Sequence, residues 1–229
     1  MIAAPLAISL DLDDTLWPVG PVLEHAERVL ADWLAEHAPR TAARTDAAVR
    51  ASIRRAVLAD HPERAHDMSF LRREGLRRAM RHAEEDPALA DAAFETFLAA
   101  RQQVTLFDDV LPVLSRWAAR VPLVAVSNGN ADVARVGLGG YFAGSVAAHA
   151  LGCAKPDARM FHAACRIAGV APDAVLHVGD DPELDVAGAC RAGLRAAWLS
   201  RPQFAHRYGE TAAPPVFRDL HALDRALFG

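Results

Sequence analysis

The sequence predicts an α/β protein whose parallel sheet is interrupted by one inserted helical segment. Several short apolar runs lack polar alternation, which is typical of parallel strands buried on both faces. Amphipathic helical patterns lie between most of these runs, so strands and helices alternate as in right-handed β-α-β units. One long stretch after the first apolar run holds helical patterns only. We therefore predict a Rossmann-like parallel sheet core with an inserted four-helix cap domain.

Five apolar runs are predicted to be strands: residues 6–10, 123–126, 144–148, 175–178 and 196–199. Helical patterns between and after them cover residues 110–119, 161–168, about 182–192 and 220–227. Asp181 followed by Pro182 is an N-cap with proline at the first helical position, and Asp219 can cap the last helix. These elements account for both faces of the predicted sheet.

The segment of residues 17–104 departs from this alternation. Four stripes of apolar residues at helical spacing begin at Val22, Val49, Met68 and Leu89. Prolines lie in or near the breaks between the stripes. The predicted division is a sheet core of residues 1–16 and 105–229 and a helical domain of residues 17–104.

The composition argues against several function classes. The formal net charge is −4 and the pI is about 6.2, whereas nucleic-acid and anionic-membrane binders usually present a basic face. No apolar run approaches the ~18 residues of a membrane span, and the N-terminus lacks the basic start of a signal peptide. Three cysteines without metal-type spacing predict free thiols in a reducing compartment. We expect a cytoplasmic monomer or homodimer without nucleic-acid or membrane partners.

Polar residues follow the predicted strands at their carboxyl ends, where open parallel sheets bind ligands. Asp11 and Asp13 follow the first strand, and their spacing of two places them on one side of an extended segment. The other such residues are Ser127 and Asn128 after the second strand, Asp180 after the fourth, Asp185 a helical turn later, and Lys155 before the fourth strand. Lys155 is the only lysine among 25 lysines and arginines, which makes it a candidate for a task that arginine does not fill; the alternative is chance survival.

A cluster of carboxylates repels itself unless a cation or a shared proton is present. Because the ligands are oxygens and no cysteine or histidine has metal-type spacing, the predicted metal is Mg²⁺. A divalent cation beside a lysine, a serine hydroxyl and loop amides would form a phosphate site. The alternative is that aspartates only cap helices and end strands, and Pro182 favours that interpretation for Asp181. His177, inside the fourth predicted strand, is expected to be structural.

These segments resemble the four ordered motifs of the haloacid dehalogenase superfamily. The motifs are Asp11-Leu12-Asp13-Asp14-Thr15-Leu16, Ser127-Asn128-Gly129, Lys155-Pro156, and Gly179-Asp180-Asp181-Pro182-Glu183-Leu184-Asp185. The resemblance covers essentially the whole chain, and the insert of residues 17–104 is similar to the helical C1-type cap of the superfamily's phosphatases. Residues 121–131 and 176–192, with His66-Asp67-Met68-Ser69 and Arg72, look most like the flavin mononucleotide phosphatase branch that also acts on 5-amino-6-(5-phosphoribitylamino)uracil.

The resemblance implies a role for each motif residue in phosphoryl transfer. Asp11 would be the nucleophile that forms an aspartyl-phosphate. Asp13 would protonate the leaving alcohol and then deprotonate the water that hydrolyses the intermediate. Ser127 and the Asn128 amide would bind one phosphoryl oxygen, and Lys155 would bind another and neutralise Asp11.

The resemblance also implies a metal set and candidate substrate contacts. Mg²⁺ would be held by Asp11, the backbone carbonyl of Asp13, and Asp180, while Asp185 would orient a metal water or ligand. Trp17 and Arg72 are the candidates for substrate specificity. The alternatives are that Trp17 packs at the hinge and that Arg72 lies on a solvated face.

Asp13 distinguishes between reaction classes within the superfamily. In the dehalogenases that give it its name, the residue two positions after the nucleophile is not acidic, because halide leaves without protonation. We therefore expect a Mg²⁺-dependent phosphomonoesterase that acts on a small phosphorylated metabolite, such as flavin mononucleotide or a riboflavin-pathway phosphate. The alternatives are a 5′-nucleotidase or broad metabolite phosphatase, a phosphomutase, and a non-catalytic binding module of the same fold.

Overall fold

The structure is a computed structural model that describes residues 4–207 and 215–229. Within those ranges the chain divides into two units. The first unit contains the residues up to Pro18 and those from Thr105 onward, and the second unit is Val19–Val104. Trp17 and Pro18 thus belong to the first unit, two residues past the boundary that the sequence suggests.

The first unit is built on a six-stranded parallel sheet. Its strands are β1 (Ala7–Leu10), β2 (Leu123–Ser127), β3 (Gly144–Ala147), β4 (Val175–Gly179), β5 (Arg195–Leu199) and β6 (Val216–Phe217). Their order across the sheet is β3-β2-β1-β4-β5-β6, and every neighbouring pair is parallel. Ile8 in β1 pairs with Leu123 in β2 and with Leu176 in β4. All residues of β1, β2 and β4 are buried, as expected for central strands covered on both faces.

The direction in which the chain adds strands reverses beside β1. β2 and β3 extend the sheet on one side of β1, and β4, β5 and β6 extend it on the other side. The carboxyl ends of β1 and β4 therefore flank a topological switch point, which is where open α/β sheets bind ligands.

Ten α-helices lie in the described ranges. Those of the second unit are α1 (Val19–His37), α2 (Pro39–Arg44), α3 (Ala47–Asp60), α4 (Met68–His82) and α5 (Leu89–Arg101). Those of the first unit are α6 (Val110–Ala118), α7 (Ala148–Leu151), α8 (Ala158–Ala168), α9 (Gly188–Arg191) and α10 (Leu220–Phe228). A π-helical turn, Pro182–Ala187, leads directly into α9.

Each unit has its own apolar core. In the first unit Phe161 of α8 packs with Val124, Val126 and Trp198 of the sheet. In the second unit the core includes Phe94, Phe97 and Met80, and α1 packs closely against α5. Since each core is formed by residues of one unit, each unit buries an apolar surface of its own.

The structure confirms the predicted fold class and adds detail to it. The four long helices predicted in the insert are present, and α2 is an additional short helix between the first two of them. β6 is a two-residue strand, too short to produce an apolar run. The helix predicted after Asp181 begins as the π-helical turn, because the N–H groups of Asp185 and Val186 both bond to the Asp181 carbonyl.

Candidate active site

The loop that follows β1 carries two aspartates at the switch point. Asp11 is buried, and its N–H donates to the carbonyl of Val178 in β4 at 2.9 Å. The loop then turns back tightly, with the Asp14 N–H bonded to the Trp17 carbonyl at 2.8 Å and a single β-bridge between Asp13 and Trp17. Asp14 has a positive φ of 56°, which its short polar side chain tolerates. This backbone fixes Asp13 two residues beyond Asp11 on a partly exposed surface of the loop.

Lys155 joins two of the carboxylates. Its ammonium donates to Asp11 Oδ1 and, at 2.6 Å, to Asp185 Oδ1. The lysine side chain is 3% exposed, so these ion pairs are shielded from water. Lys155 and Asp11 are 144 positions apart in the sequence, and the fold brings them into contact.

Asn128 holds the backbone of Lys155 from both sides. The Lys155 N–H donates to Asn128 Oδ1 at 2.7 Å, and Asn128 Nδ2 donates to the Lys155 carbonyl at 3.1 Å. The neighbouring Ser127 is buried, and its Oγ accepts the Gly129 N–H at 3.0 Å. The Asn128 side chain is therefore a support for Lys155, and a phosphate contact at this residue would be made by its backbone amide.

Asp180 and Asp185 bring the loop after β4 to the same place. Thr15 Oγ1 donates to Asp180 Oδ1 at 3.4 Å, and the Trp198 indole N–H donates to the Asp180 carbonyl at 2.8 Å. Asp185 Oδ2 accepts the Asp181 N–H at 3.1 Å. Asp181 itself caps the π-helical turn by accepting from two backbone N–H groups, which is the structural role expected for it.

Two of the carboxyl groups resist ionisation. Burial raises the pKa of Asp11 to about 7, against the attraction of Lys155. Burial and the charges of Asp11 and Asp185 raise the pKa of Asp180 to about 8. Both shifts come from taking carboxylates out of water and placing them beside one another. The positive charge of Lys155 therefore does not balance the negative charges that Asp11, Asp180 and Asp185 would carry together.

The other buried ionisable groups of the site are held in fixed charge states. Burial acts to raise the pKa of Asp185, but Lys155 and His177 outweigh it and hold that pKa below its usual value. Burial acts to lower the pKa of Lys155, but Asp11 and Asp185 outweigh it and raise the pKa. Burial lowers the pKa of His177, so its ring is neutral near neutral pH. Lys155 is thus a permanent cation and Asp185 a permanent anion.

The carboxylates fit an oxygen-liganded divalent cation. Asp11, Asp180 and Asp185 each offer an oxygen within 4.8 Å of the others. Asp185 already accepts hydrogen bonds on both oxygens, from Lys155 and His177 on one and from Asp181 on the other. A cation between Asp11 and Asp180 would lower the raised pKa values of both carboxyl groups. The donor set matches the carboxylates and waters that Mg²⁺ prefers.

A buried chain of hydrogen bonds behind the site has no counterpart in the sequence analysis. Ser9 Oγ lies 2.8 Å from His177 Nδ1, and His177 Nε2 lies 3.2 Å from Asp185 Oδ1. His177 and Ser9 are fully buried in β4 and β1. His177 thus supports the carboxylate that holds Lys155, in addition to its packing role. The apolar neighbours of His177 in β4 indicate that the ring is buried, but the sequence gives no sign of its partners.

Arg201 is a second support that the sequence analysis missed. Its guanidinium, 5% exposed, donates to the Thr15 carbonyl through Nε at 3.0 Å and through Nη2 at 2.8 Å. It is also paired with the buried Asp109 at 3.1 Å. Arg201 therefore fixes the loop after β1 from the end of β5. Because arginine is frequent in this chain, the sequence does not distinguish Arg201 from the other arginines.

The two candidates for substrate specificity are both engaged within their own units. The Trp17 side chain is fully buried, and its indole N–H donates to Asp13 Oδ1 at 2.8 Å. The Arg72 guanidinium forms an ion pair with Glu27 at 2.8 Å and lies 3.7 Å from the ring centroid of Phe97. Trp17 therefore reaches the site through Asp13, whereas Arg72 is held by neighbours of the second unit. A substrate contact by either residue stays a prediction.

The motifs predicted from four separate segments thus meet at one sheet edge. A buried carboxylate paired with a buried lysine, beside a carboxylate cluster that fits a cation, is an arrangement typical of hydrolytic enzymes of the α/β class. The chain matches the haloacid dehalogenase-like hydrolase family over residues 6–193. It belongs to that family, and the resemblance seen in its motifs is confirmed.

Individual relatives within the family differ in their reactions. The chain is 34% identical over 201 residues to the 5-amino-6-(5-phospho-D-ribitylamino)uracil phosphatase YigB of Escherichia coli, covering 86% of this chain and 84% of that protein. It is 37% identical over 97 residues to the pyrimidine 5′-nucleotidase YjjG of the same organism, covering 41% of each. A solved structure of a 2-haloacid dehalogenase from Pseudomonas syringae matches with TM-score 0.90 and 40% identity, covering 96% of this chain and 97% of that chain.

Proposed function

We propose that the protein is a Mg²⁺-dependent phosphomonoesterase that acts on a small phosphorylated metabolite through an aspartyl-phosphate. The observation that carries this proposal is the contact between Asp11 and Lys155, with Asp13 two residues further along the same loop. Lys155 favours the ionised, nucleophilic form of Asp11, and Asp13 supplies an acid for the leaving group. The family membership supports the same reaction class.

The protein residues divide the reaction into two half-reactions. In the first, Asp11 attacks phosphorus while Asp13 gives its proton to the leaving alcohol oxygen. In the second, Asp13 takes a proton from the water that attacks the aspartyl-phosphate, which regenerates both residues. Lys155 and the loop of Ser127 and Asn128 would bind the phosphoryl oxygens as their charge develops.

Asp11, Asp180 and the backbone carbonyl of Asp13 would hold the magnesium ion. When bound, the ion supplies positive charge that offsets the carboxylates and the phosphoryl oxygens. Asp185 keeps both of its oxygens in hydrogen bonds within the protein, so we assign it the positioning of Lys155 and of a metal water.

Asp13 favours a phosphatase over a dehalogenase, despite the similarity to the solved structure of a 2-haloacid dehalogenase. A halide leaves without a proton, so a dehalogenase has no use for an acid at this position. Here Asp13 is partly exposed and oriented by a hydrogen bond, as a working acid requires. The non-catalytic alternative is disfavoured because both Asp11 and Lys155 are present and in contact.

The proposed substrate is flavin mononucleotide or a phosphate of the riboflavin pathway. The support for it is the similarity to the uracil-derivative phosphatase of Escherichia coli over most of both chains. A 5′-nucleotidase is the second candidate, supported by the shorter match to a pyrimidine nucleotidase.

We also propose that residues 17–104 serve as the C1-type cap that selects the leaving group. The cytoplasmic location and the oligomeric state stay predictions, and in the described part of the chain no helix is long and apolar enough to cross a membrane.

Phosphate release from a substrate panel tests this function. The panel is flavin mononucleotide, 5-amino-6-(5-phosphoribitylamino)uracil, nucleoside 5′-monophosphates and sugar phosphates, each with Mg²⁺ and with a chelator. We expect Mg²⁺-dependent hydrolysis that Asp11→Asn abolishes, with the flavin and uracil-derivative phosphates among the better substrates in kcat/KM. Halide release from 2-chloropropionate without phosphate release would overturn the proposal in favour of a dehalogenase. A clear preference for nucleoside monophosphates would establish the second candidate.

A further inference from the structure

We propose that Trp17 is a positioning residue that fixes which oxygen of Asp13 carries the transferable proton. This inference rests on the proposed function, because it concerns the acid and base of that reaction. Its observation is independent of the sequence motifs: the Trp17 indole N–H donates to Asp13 Oδ1 at 2.8 Å.

The backbone of the loop gives this hydrogen bond a rigid frame. Asp13 and Trp17 form a β-bridge, the Asp14 N–H bonds to the Trp17 carbonyl at 2.8 Å, and the Leu16 N–H bonds to the Leu12 carbonyl at 2.7 Å. The Trp17 side chain is fully buried, so water does not compete for its N–H. Asp13 is only partly buried, and the indole N–H is one contact that restrains the orientation of its carboxyl group.

The chemistry of an indole restricts the proton on Asp13. An indole N–H donates and never accepts, so the oxygen facing it must present a lone pair in either protonation state of the carboxyl. The neutral acid meets this requirement best with its carbonyl oxygen, the stronger of its two acceptors, at Oδ1 and its hydroxyl at Oδ2. The carboxylate also meets it with Oδ1. The hydrogen bond therefore persists through both half-reactions, and the indole keeps its own hydrogen throughout.

The proton balance then assigns both transfers to Oδ2. In the first half-reaction the Oδ2–H proton moves to the ester oxygen as the phosphorus–oxygen bond of the substrate breaks. In the second, Oδ2 takes a proton from water as the water oxygen bonds to phosphorus and Asp11 leaves. Asp13 returns to its starting state after each turnover. Loss of the indole N–H would remove this restraint on Oδ2, which affects proton transfer rather than substrate binding.

The chain offers a matched control in the same unit. The Trp117 indole N–H donates to Asp224 Oδ1, also at 2.8 Å, and Trp117 is also fully buried. This pair joins α6 to α10 and lies outside the motifs. Trp17→Phe and Trp117→Phe therefore each remove a hydrogen bond from a buried indole to a partly buried carboxylate, one at the proposed acid and one elsewhere.

The experiment compares two substrates of similar shape with different leaving groups. They are 4-nitrophenyl phosphate, whose anion leaves readily, and 4-nitrobenzyl phosphate, whose alkoxide needs protonation. We expect Trp17→Phe to lower kcat/KM at least about tenfold for the benzyl ester and less than about twofold for the phenyl ester. For the phenyl ester kcat and KM should fall together, because hydrolysis of the aspartyl-phosphate becomes slow. Trp117→Phe should stay within about twofold of wild type on both esters.

Two further variants keep the inference testable. Benzothienylalanine at position 17 retains the fused ring and lacks only the N–H, so it should reproduce the leaving-group effect even where phenylalanine impairs folding. In an Asp13→Ala background, Trp17→Phe should have no additional effect on kcat/KM. An equal loss on both esters, or no loss on either, would overturn the inference while leaving the phosphatase function intact. A wild-type enzyme that hydrolyses neither ester nor any panel phosphate would instead refute the proposed function.

Discussion

Lys155 is the only lysine in the chain, and its ammonium lies between the carboxylates of Asp11 and Asp185. An ammonium is a compact point charge, whereas a guanidinium is a wide planar fork that pairs with a carboxylate through two parallel bonds. The Lys155 side chain is buried, so the space around it offers little room for the larger group. The geometry therefore accounts for a lysine in a chain that otherwise uses arginine.

We expect Lys155→Arg to lower kcat/KM at least about tenfold, which corresponds to ~1.4 kcal/mol of transition-state stabilisation. A bidentate pair with Asp11 would block attack or displace the cation, although the formal charge is conserved. Steady-state kinetics measure the loss, and thermal melts check the fold. The control is the reverse change at a surface cation, Arg159→Lys, which should leave kcat/KM unchanged because Arg159 is exposed and forms its ion pair with Asp157. Wild-type efficiency in Lys155→Arg would show that the retained lysine has no special role.

The residues that the sequence identified are those whose chemistry is visible without geometry. Asp11, Asp180 and Lys155 stand at predicted strand ends or in a predicted loop, so topology alone brings them together. Ser9 and His177 look like ordinary strand residues, and their bond across neighbouring strands depends on register. Pairwise contacts between side chains of this kind follow from packing, which the sequence does not display.

At the level of elements, the junction of β4 with the π-helical turn sets the position of Asp185. Gly179 ends β4, and a Cβ added to it would lie 2.3 Å from Asp185 Cγ. The π-helical turn then brings Asp185 back over the strand end, where it meets Lys155 and His177. Close approach of a side chain to the strand backbone is therefore possible only at a glycine.

We expect Gly179→Ala to lower the free energy of unfolding by about 1–3 kcal/mol and kcat/KM by at least about tenfold. The added methyl group has to displace either the strand end or Asp185, and Lys155 loses its anchor in both cases. Denaturant unfolding and steady-state kinetics measure the two effects. Gly75→Ala is the control, because Gly75 lies inside α4 with nothing within 4 Å of an added Cβ. It should be neutral or stabilising by up to about 1 kcal/mol. A fully active Gly179→Ala would mean that Asp185 can move without consequence.

Long helices and strands with a clear apolar pattern could be predicted from the sequence, whereas short elements could not. The central strands and the long helices carry clear apolar patterns, and the structure reproduces them within a few residues. β6 has two residues, and α2 has six with one buried side chain, so neither creates a recognisable period. The π-helical turn shares its Asp-Pro start signal with an α-helix, and only the backbone bonds distinguish the two.

At the scale of the whole molecule, the carboxylates that the proposed reaction needs are crowded at the switch point of the sheet, where their mutual repulsion opposes the stability of the fold. The first unit buries or partly buries Asp11, Asp180 and Asp185 together, and Lys155 offsets only part of their charge. Burial raises the pKa of Asp11 to about 7 and that of Asp180 to about 8. Without a cation, the folded protein therefore binds protons at pH values where the unfolded chain has already released them.

This difference gives the metal-free protein a stability that falls with rising pH. Carboxyl groups with raised pKa values stabilise the fold while protonated and lose that contribution as the pH rises through about 7 and 8. The lowered pKa of His177 works in the opposite direction only up to its ordinary value near 6.5. Asp185 and Lys155 keep constant charges in this range. The window from about pH 6.5 to about pH 8.5 therefore isolates Asp11 and Asp180.

In a chelator, we expect the apparent Tm to fall by several degrees across that window, the equivalent of about 1–3 kcal/mol. With saturating Mg²⁺ the decline should be much smaller, because the cation replaces the protons, and its stabilising effect should grow with pH. Asp180→Asn should weaken the decline in chelator, exceed the wild-type Tm near pH 8.5, and respond little to Mg²⁺. Asp173→Asn, which removes an exposed charge, should behave like wild type. Differential scanning calorimetry at matched ionic strength measures the Tm of all three proteins in chelator and in Mg²⁺. If Asp180→Asn retained the full wild-type decline, the crowded carboxylates would not be its source, and the case for a cation at this site would lose its electrostatic support.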